Sequence, residues 1–212
     1  AQIAGDSSRP CRNATGAPLR DGRRAAVGMV LGAALGVDGP GGRAAAVIGT
    51  FLVRIAAGGG KTRVVNDWIA TGLSGRRTST GQRWRILWIS KDWQLLAQAA
   101  ADLCQRYEEA PSWIGRVGGP PGLKALPEAK DAEIVYCSIQ TWVQRRRTDL
   151  RRQRFDIVII DELHWGEGRP SYAKLYRRYR DQAVFVGMTA TPRSWSDFAP
   201  ITRGLDFADL VE

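Results

Sequence analysis

Two short stretches of this chain hold residues whose types and order suit phosphate chemistry. The first, Gly58-Gly59-Gly60-Lys61-Thr62, sets three glycines before a lysine and a hydroxyl. Such a run accepts positive φ, so its N–H groups can turn onto a phosphate at the start of a helix whose dipole favours the anion. In that arrangement Lys61 reaches the β- and γ-phosphates of a nucleotide and the Thr62 hydroxyl binds Mg²⁺. The strict phosphate-loop spacing asks for glycine at position 55, where this chain has Ile55. The bland alternative is a Gly-rich strand–helix turn that happens to precede a lysine.

The second stretch begins about a hundred residues downstream. Phe155-Asp156-Ile157-Val158-Ile159-Ile160 runs into Asp161-Glu162-Leu163-His164. A continuous run of apolar β-formers reads as a strand buried on both faces, as in a parallel sheet. Acids at the carboxyl end of such a strand sit where α/β sheets meet their ligands. Mg²⁺ needs few protein oxygens and keeps several waters, so Asp161 suits the metal. Glu162 beside it suits a general base that polarises the water attacking a γ-phosphate. His164 is either an ordinary surface or core histidine or a coupling residue two positions after the pair.

The elements that must position these residues follow in order. Residues 1–18 lack periodicity and read as a flexible lead, with a single domain over 19–212. Residues 19–35 allow an amphipathic helix, weakened by Gly28 and Gly32. The second half of 44–57 is the first core strand, followed by a helix from Lys61-Thr62 to about Ala70. Further strands are expected at 85–89, 134–138, 155–160 and 183–188. Helices are expected from Ser90 or Asp92, as cap, through Tyr107, over 141–150 and over 172–179. Residues 110–131, rich in Pro and Gly, read as an irregular excursion. Strands alternating with helices at this spacing predict a doubly wound, mostly parallel α/β sheet with helices on both faces and right-handed crossovers.

Composition narrows the partners. The chain has 212 residues, enough for one substantial core and too few for two full motor domains. Its 31 Lys+Arg against 21 Asp+Glu give a net charge of +10, which favours a polyanion, although an Arg-rich coding bias has the same signature. Arg145-Arg146-Arg147 is either a phosphate-contacting run or a solvated helix face. Trp93, Trp142 and Trp165 lie beside the motifs, as core residues or as platforms for stacked bases. The three cysteines (Cys11, Cys104 and Cys137) fit neither a disulfide framework nor a zinc site, so a reducing cytosol is the expected compartment. No run approaches a membrane span. A chain starting at Ala1 reads as a fragment of a longer one.

With these residues in place, the chain resembles the first RecA-like motor domain of superfamily-two helicases, in the DEAH-like branch of restriction and phage enzymes. Ala56–Thr62 is similar to motif I, where this superfamily tolerates a non-Gly first position. Leu87–Leu96, with Lys91 and Trp93, resembles motif Ia, which touches the nucleic-acid backbone. Val135–Thr141 resembles the later backbone-contacting segment that ends at Thr141. Asp161-Glu162-Leu163-His164 resembles motif II, and Gly187-Met188-Thr189-Ala190-Thr191-Pro192 resembles motif III, which couples hydrolysis to movement through Thr189 and Thr191.

The resemblance implies ATP and Mg²⁺ as cofactors, and a nucleic acid as partner, DNA favoured over RNA. It also implies a second RecA-like domain, in cis or in trans, that supplies an arginine finger. In relatives the adenine-reading segment often runs Leu-Arg-Pro-Tyr-Gln, whereas here Leu19-Arg20 leads to Arg23 in place of Gln, which leaves ATP selectivity open. Two other readings stand beside this one. A phage DNA-packaging terminase ATPase also pairs a Gly-rich cradle with Asp-Glu, and a non-catalytic module could bind nucleic acid through its basic surface alone.

Overall fold

The computed structural model describes residues 50–54, 60–70, 83–120, 127–144, 149–166, 168–190 and 204–205. Seven strands form one sheet: β1 (Thr50–Arg54), β2 (Ile86–Ser90), β3 (Ile114–Arg116), β4 (Ile134–Ser138), β5 (Ile157–Ile160), β6 (Val184–Thr189) and β7 (Gly204–Leu205). Their spatial order is β3-β4-β2-β5-β6-β1-β7, and every pairing is parallel. Among the described residues four α-helices accompany them: α1 (Lys61–Trp68), α2 (Trp93–Arg106), α3 (Ile139–Gln144) and α4 (Pro170–Tyr179).

The strands are apolar at successive positions because both faces are covered. Ile86, Trp88, Tyr136, Ile157, Ile159 and Val186 point to one face and pack with Val65 and Trp68 of α1 and with Leu96, Ala99 and Leu103 of α2. Leu87, Ile89, Val135, Val158, Ile160 and Phe185 point to the other and pack with Trp142 of α3 and with Tyr172, Leu175 and Tyr179 of α4. This is the side-chain alternation of a pleated strand, with a helical layer on each side. Trp88 stacks on Tyr136 across β2 and β4, with ring centroids 5.5 Å apart.

Three expectations need correction. The excursion at 110–131 contains β3, since Ile114 pairs with Ile134 and the segment at 127–130 runs beside Arg116. That segment covers the outer edge of β3 with backbone hydrogen bonds, which is how an edge strand is kept from pairing with another chain. The helix placed over 141–150 starts earlier, at Ile139, and its α-helical turns reach Gln144. Ser138 sets that start: the Thr141 N–H donates to its hydroxyl oxygen at 3.1 Å, capping the helix straight out of β4. A short 3₁₀ turn follows at Asp149–Arg151. The sheet also gains β7, which the sequence reading lacked. The flexible lead at 1–18 and the helix at 19–35 lie outside the described residues.

Gly115 is required by the covering segment. A Cβ there would fall onto the Ala129 carbonyl oxygen and within 2.8 Å of the Ala132 Cβ. Because one obstacle is backbone, relief needs a shift of the 127–130 strip. Gly115→Ala is therefore expected to destabilise the fold by about 1–3 kcal/mol, read as a lower denaturant midpoint with unchanged slope; an unchanged midpoint would show that the strip gives way freely.

Candidate functional site

The carboxyl ends of β1, β5 and β6 gather the motif residues. Helix α1 starts at Lys61, and Gly60 before it adopts φ 83° and ψ 28°, a left-handed conformation natural to glycine. Among the described residues no side chain caps this end. The first-turn N–H groups are therefore left for an anion, at the positive end of the helix dipole. Gly58 and Gly59 lie outside the described residues.

Lys61 is buried, and its Nζ lies 3.6 Å from Glu162 Oε1. Although β6 separates β5 from β1, the turn after β5 brings the acid back to the lysine. Asp161 prolongs β5 by donating its N–H to the Ile89 carbonyl at 2.8 Å, and its carboxylate accepts the Glu162 N–H at 2.9 Å. Its side chain is 5% exposed. Burial first, and then the neighbouring Glu162 charge, push the Asp161 carboxyl up to about 6, against the opposing pull of the Glu162 N–H and Lys61.

Glu162 has φ 50°, the one non-glycine residue with positive φ among those described. An L-residue there costs about 1–2 kcal/mol, a strain held by the packing around it. Leu163, the next residue, folds over Gly187 of β6, at a place where any Cβ on Gly187 would strike its side chain. The following 3₁₀ turn, Leu163–Gly166, carries His164. His164 Nδ1 lies 3.2 Å from Glu162 Oε2 and 3.1 Å from Thr189 Oγ1. With its proton on Nδ1 the ring can donate to the carboxylate or to the hydroxyl. Lys61, Glu162, His164 and Thr189 thus form one unbroken polar line across the ends of three strands.

The surroundings fit a metal–nucleotide ligand. Among the described residues no group of three or more His, Cys, Asp or Glu side chains could cage an ion. One buried carboxylate, with Thr62 a helix position after Lys61, suits a hard ion that takes its remaining ligands from water and phosphate. The raised carboxyl of Asp161 is a second sign of fit, because its ionised form is short of compensating positive charge.

A supporting cluster that the sequence reading missed fixes α1 against α2. Buried Asn66 donates to the Ala99 carbonyl at 3.0 Å and to Asp102 Oδ2 at 2.9 Å. The Tyr107 hydroxyl donates to Asp67 Oδ1 at 2.7 Å, and Arg106 pairs with the same carboxylate. Asn66 and Asp67 interrupt the apolar pattern of α1, and that interruption was the available signal.

The remaining predicted residues lie elsewhere. Thr141 serves the α3 cap, its hydroxyl accepting from Ser138 at 2.9 Å. Trp93 packs against the core beside Gly119, whose added Cβ would come within 3.0 Å of the ring, and Trp142 is buried. Lys91 holds its ammonium 3.6 Å from the centre of the Trp165 ring, and Trp165 is 44% exposed. Arg145, Thr191 and Arg23 lie outside the described residues. Cys104 and Cys137 form no disulfide, and no helix among the described residues is long and apolar enough to cross a membrane.

The family described as type III restriction enzyme, res subunit, matches residues 46–194. No curated protein matches the chain. Among solved structures it is similar to the UvsW helicase of bacteriophage T4, with 18% identity, TM-score 0.50, and 66% of this chain and 46% of that one covered. It is similar to the Hef helicase domain of Pyrococcus furiosus, with 20% identity, TM-score 0.52 and coverages of 70% and 31%. The Sulfolobus solfataricus SWI2/SNF2 ATPase core, solved with dsDNA, gives 13% identity, TM-score 0.58 and coverages of 89% and 35%. The chain therefore spans less than half of each of these structures, and at such identities they speak for the fold. With the family match covering most of its length, the chain belongs to the type III restriction res-subunit family, and its parallel sheet is the RecA-like motor fold of superfamily-two helicases.

Proposed function

We propose that this chain is the ATP-binding motor domain of a helicase or translocase that hydrolyses ATP with Mg²⁺ to move on nucleic acid, DNA in preference to RNA. The observation that carries the reading is the 3.6 Å approach of Lys61 to Glu162, two residues about a hundred positions apart that meet beside an uncapped helix start. In this reading Gly58, Gly59, Gly60, Lys61 and Thr62 hold the phosphates, and Thr62 and Asp161 hold Mg²⁺. When bound, the ion offsets phosphate charge. Glu162 takes the proton of the attacking water, and His164 links it to Thr189 and, onward, Thr191. This reading assigns nucleic-acid contacts to Lys91 and Arg145, while Trp93, packed against the core, and Thr141, at the α3 cap, shape the surface beside them. The net charge of +10 supports a polyanionic track, and the dsDNA in the SWI2/SNF2 core supports DNA.

A second RecA-like domain, in cis or in trans, completes the motor. Without its arginine finger, turnover by this chain alone is expected to fall orders of magnitude below that of a complete motor. The test is binding of a fluorescent ATP analogue with Mg²⁺ to the wild type and to Lys61→Ala, alongside a DNA titration at two salt concentrations. Saturable binding that weakens tenfold or more in the variant, with DNA affinity that falls as salt rises, is the expected result. A wild type that binds no nucleotide would end the reading.

A further inference from the structure

A second crevice opens at the same edge of the sheet, away from Lys61. β2 is followed by α2 on one face, while β4 and β5 are followed by α3 and α4 on the other. Chains leaving neighbouring strand ends in opposite directions leave a gap between them, the usual ligand position in open α/β sheets. A cavity of about 220 Å³ occupies that gap. Trp165 forms one wall, Lys91 and Arg169 stand at the rim, and Gln140 and Gln144 line the α3 side. Tyr172, also in the lining, is 1% exposed, and its buried hydroxyl has no hydrogen-bond partner among the described residues. No carboxylate is among the described lining residues.

The chemistry selects one kind of ligand. The volume lies below the range of about 300–1,000 Å³ typical of pockets for drug-sized molecules, so the cavity takes a fragment rather than a whole nucleotide. An exposed indole offers a stacking face, carboxamides match the mixed donor and acceptor edge of a base, and two cations suit phosphates on either side. We propose that this cavity receives one unstacked nucleobase of a single-stranded segment, with Trp165 as the stacking wall and Lys91 and Arg169 on the flanking phosphates. This rests on the nucleic-acid reading above and adds a base-sized subsite to it. The Lys91 ammonium over the indole is displaced as the base enters, and the adjacent phosphate gives it a new partner. Trp165 also abuts His164, with ring centroids 5.4 Å apart, so the base pocket and the phosphate site share a wall.

The experiment uses short single-stranded oligodeoxynucleotides carrying 2-aminopurine, and matched strands whose residues are all abasic. They are titrated against the wild type, Trp165→Ala and Trp165→Phe, with a blunt duplex as control. The wild type is expected to quench 2-aminopurine and to bind the intact strand roughly 5- to 100-fold more tightly than the abasic strand, the scale of one stacked base. Trp165→Ala should lose the quench and most of that preference. Trp165→Phe should keep both, and duplex binding should be the same in all three proteins. Because Trp165 is exposed, the variants are expected to melt with the wild type. If intact and abasic strands bind the wild type equally, in a salt-dependent manner, the base pocket is overturned and the nucleic-acid reading survives. If neither strand nor duplex binds, both fall.

Discussion

Glu162→Gln is expected to bind ATP at least as tightly as the wild type while its single-turnover hydrolysis falls by about two to four orders of magnitude, the scale of a general base. Two features of the geometry separate these effects. Glu162 lies 3.6 Å from Lys61, so in the free protein it competes with phosphate for the ammonium. At the surface-like dielectric of such a site a unit charge pair at about 4 Å is worth up to about 4 kcal/mol before desolvation. Removing the carboxylate charge frees Lys61 and removes a repulsion from the triphosphate, which favours binding. The amide keeps an oxygen that can accept from His164 Nδ1, now 3.2 Å from Glu162, so the turn retains its shape. It cannot take a proton from water. Rapid-quench measurements with the protein in excess over ATP read the rate, and a fluorescent analogue reads affinity. Hydrolysis within tenfold of the wild type would place the base on another residue.

Asp161→Asn should stabilise the metal-free protein at alkaline pH and leave it unchanged at acid pH. The Asp161 carboxyl, pushed up to about 6 by burial, holds its proton more tightly in the folded chain than in the unfolded one, where an ordinary value near 3.8 applies. The stability linked to that proton is present below about pH 4, is lost as pH rises through 6, and is absent above it. Two pKa units correspond to about 3 kcal/mol. For a chain of this length that is about 6–12 °C in melting temperature. Asparagine removes the buried charge and keeps the acceptor for the Glu162 N–H. At pH 8 without metal the variant should therefore melt several degrees above the wild type, and the gap should close near pH 4. Mg²⁺ with ATP should raise the wild type and move the variant far less. Equal melting at pH 8 would mean that the Asp161 charge is already compensated in the free protein.

Much of this was legible in the sequence because it rests on local rules. The uninterrupted run from Ile157 to Ile160 announced a strand covered on both faces, and the structure covers both. Asp92 was named as a possible cap, and it accepts the Gln94 N–H at 2.8 Å. The order of motifs along the chain carried the family, which the match over residues 46–194 bears out. What stayed hidden depends on contacts distant in sequence. β3 is three residues long and owes its existence to β4 and to the strip at 127–130, so no periodicity could disclose it. The left-handed turn at Glu162 breaks local preference and is held by packing against β6. The exposed indole of Trp165 shows no pattern of its own, because its setting is made by Lys91, about seventy positions earlier.

The pairing of β1 has a consequence for the order in which the chain acquires its shape. Thr50 meets Phe185, and the strand's other neighbour, β7, comes later still. Ile86 meets Ile134 and Ile157 at much shorter range. Closing long loops is entropically expensive, so distant pairings form late. As the chain leaves the ribosome, β2, β4 and β5 can assemble with α2 and α3 while β1, the earliest of the described strands, still lacks both neighbours. The segment that leads into Lys61 is thus synthesised before both of its partner strands and is among the last to be seated. Competence to grip a phosphate arrives only when β6 has been made, and any nascent chain that stalls before it carries an apolar strand open to the wrong partner.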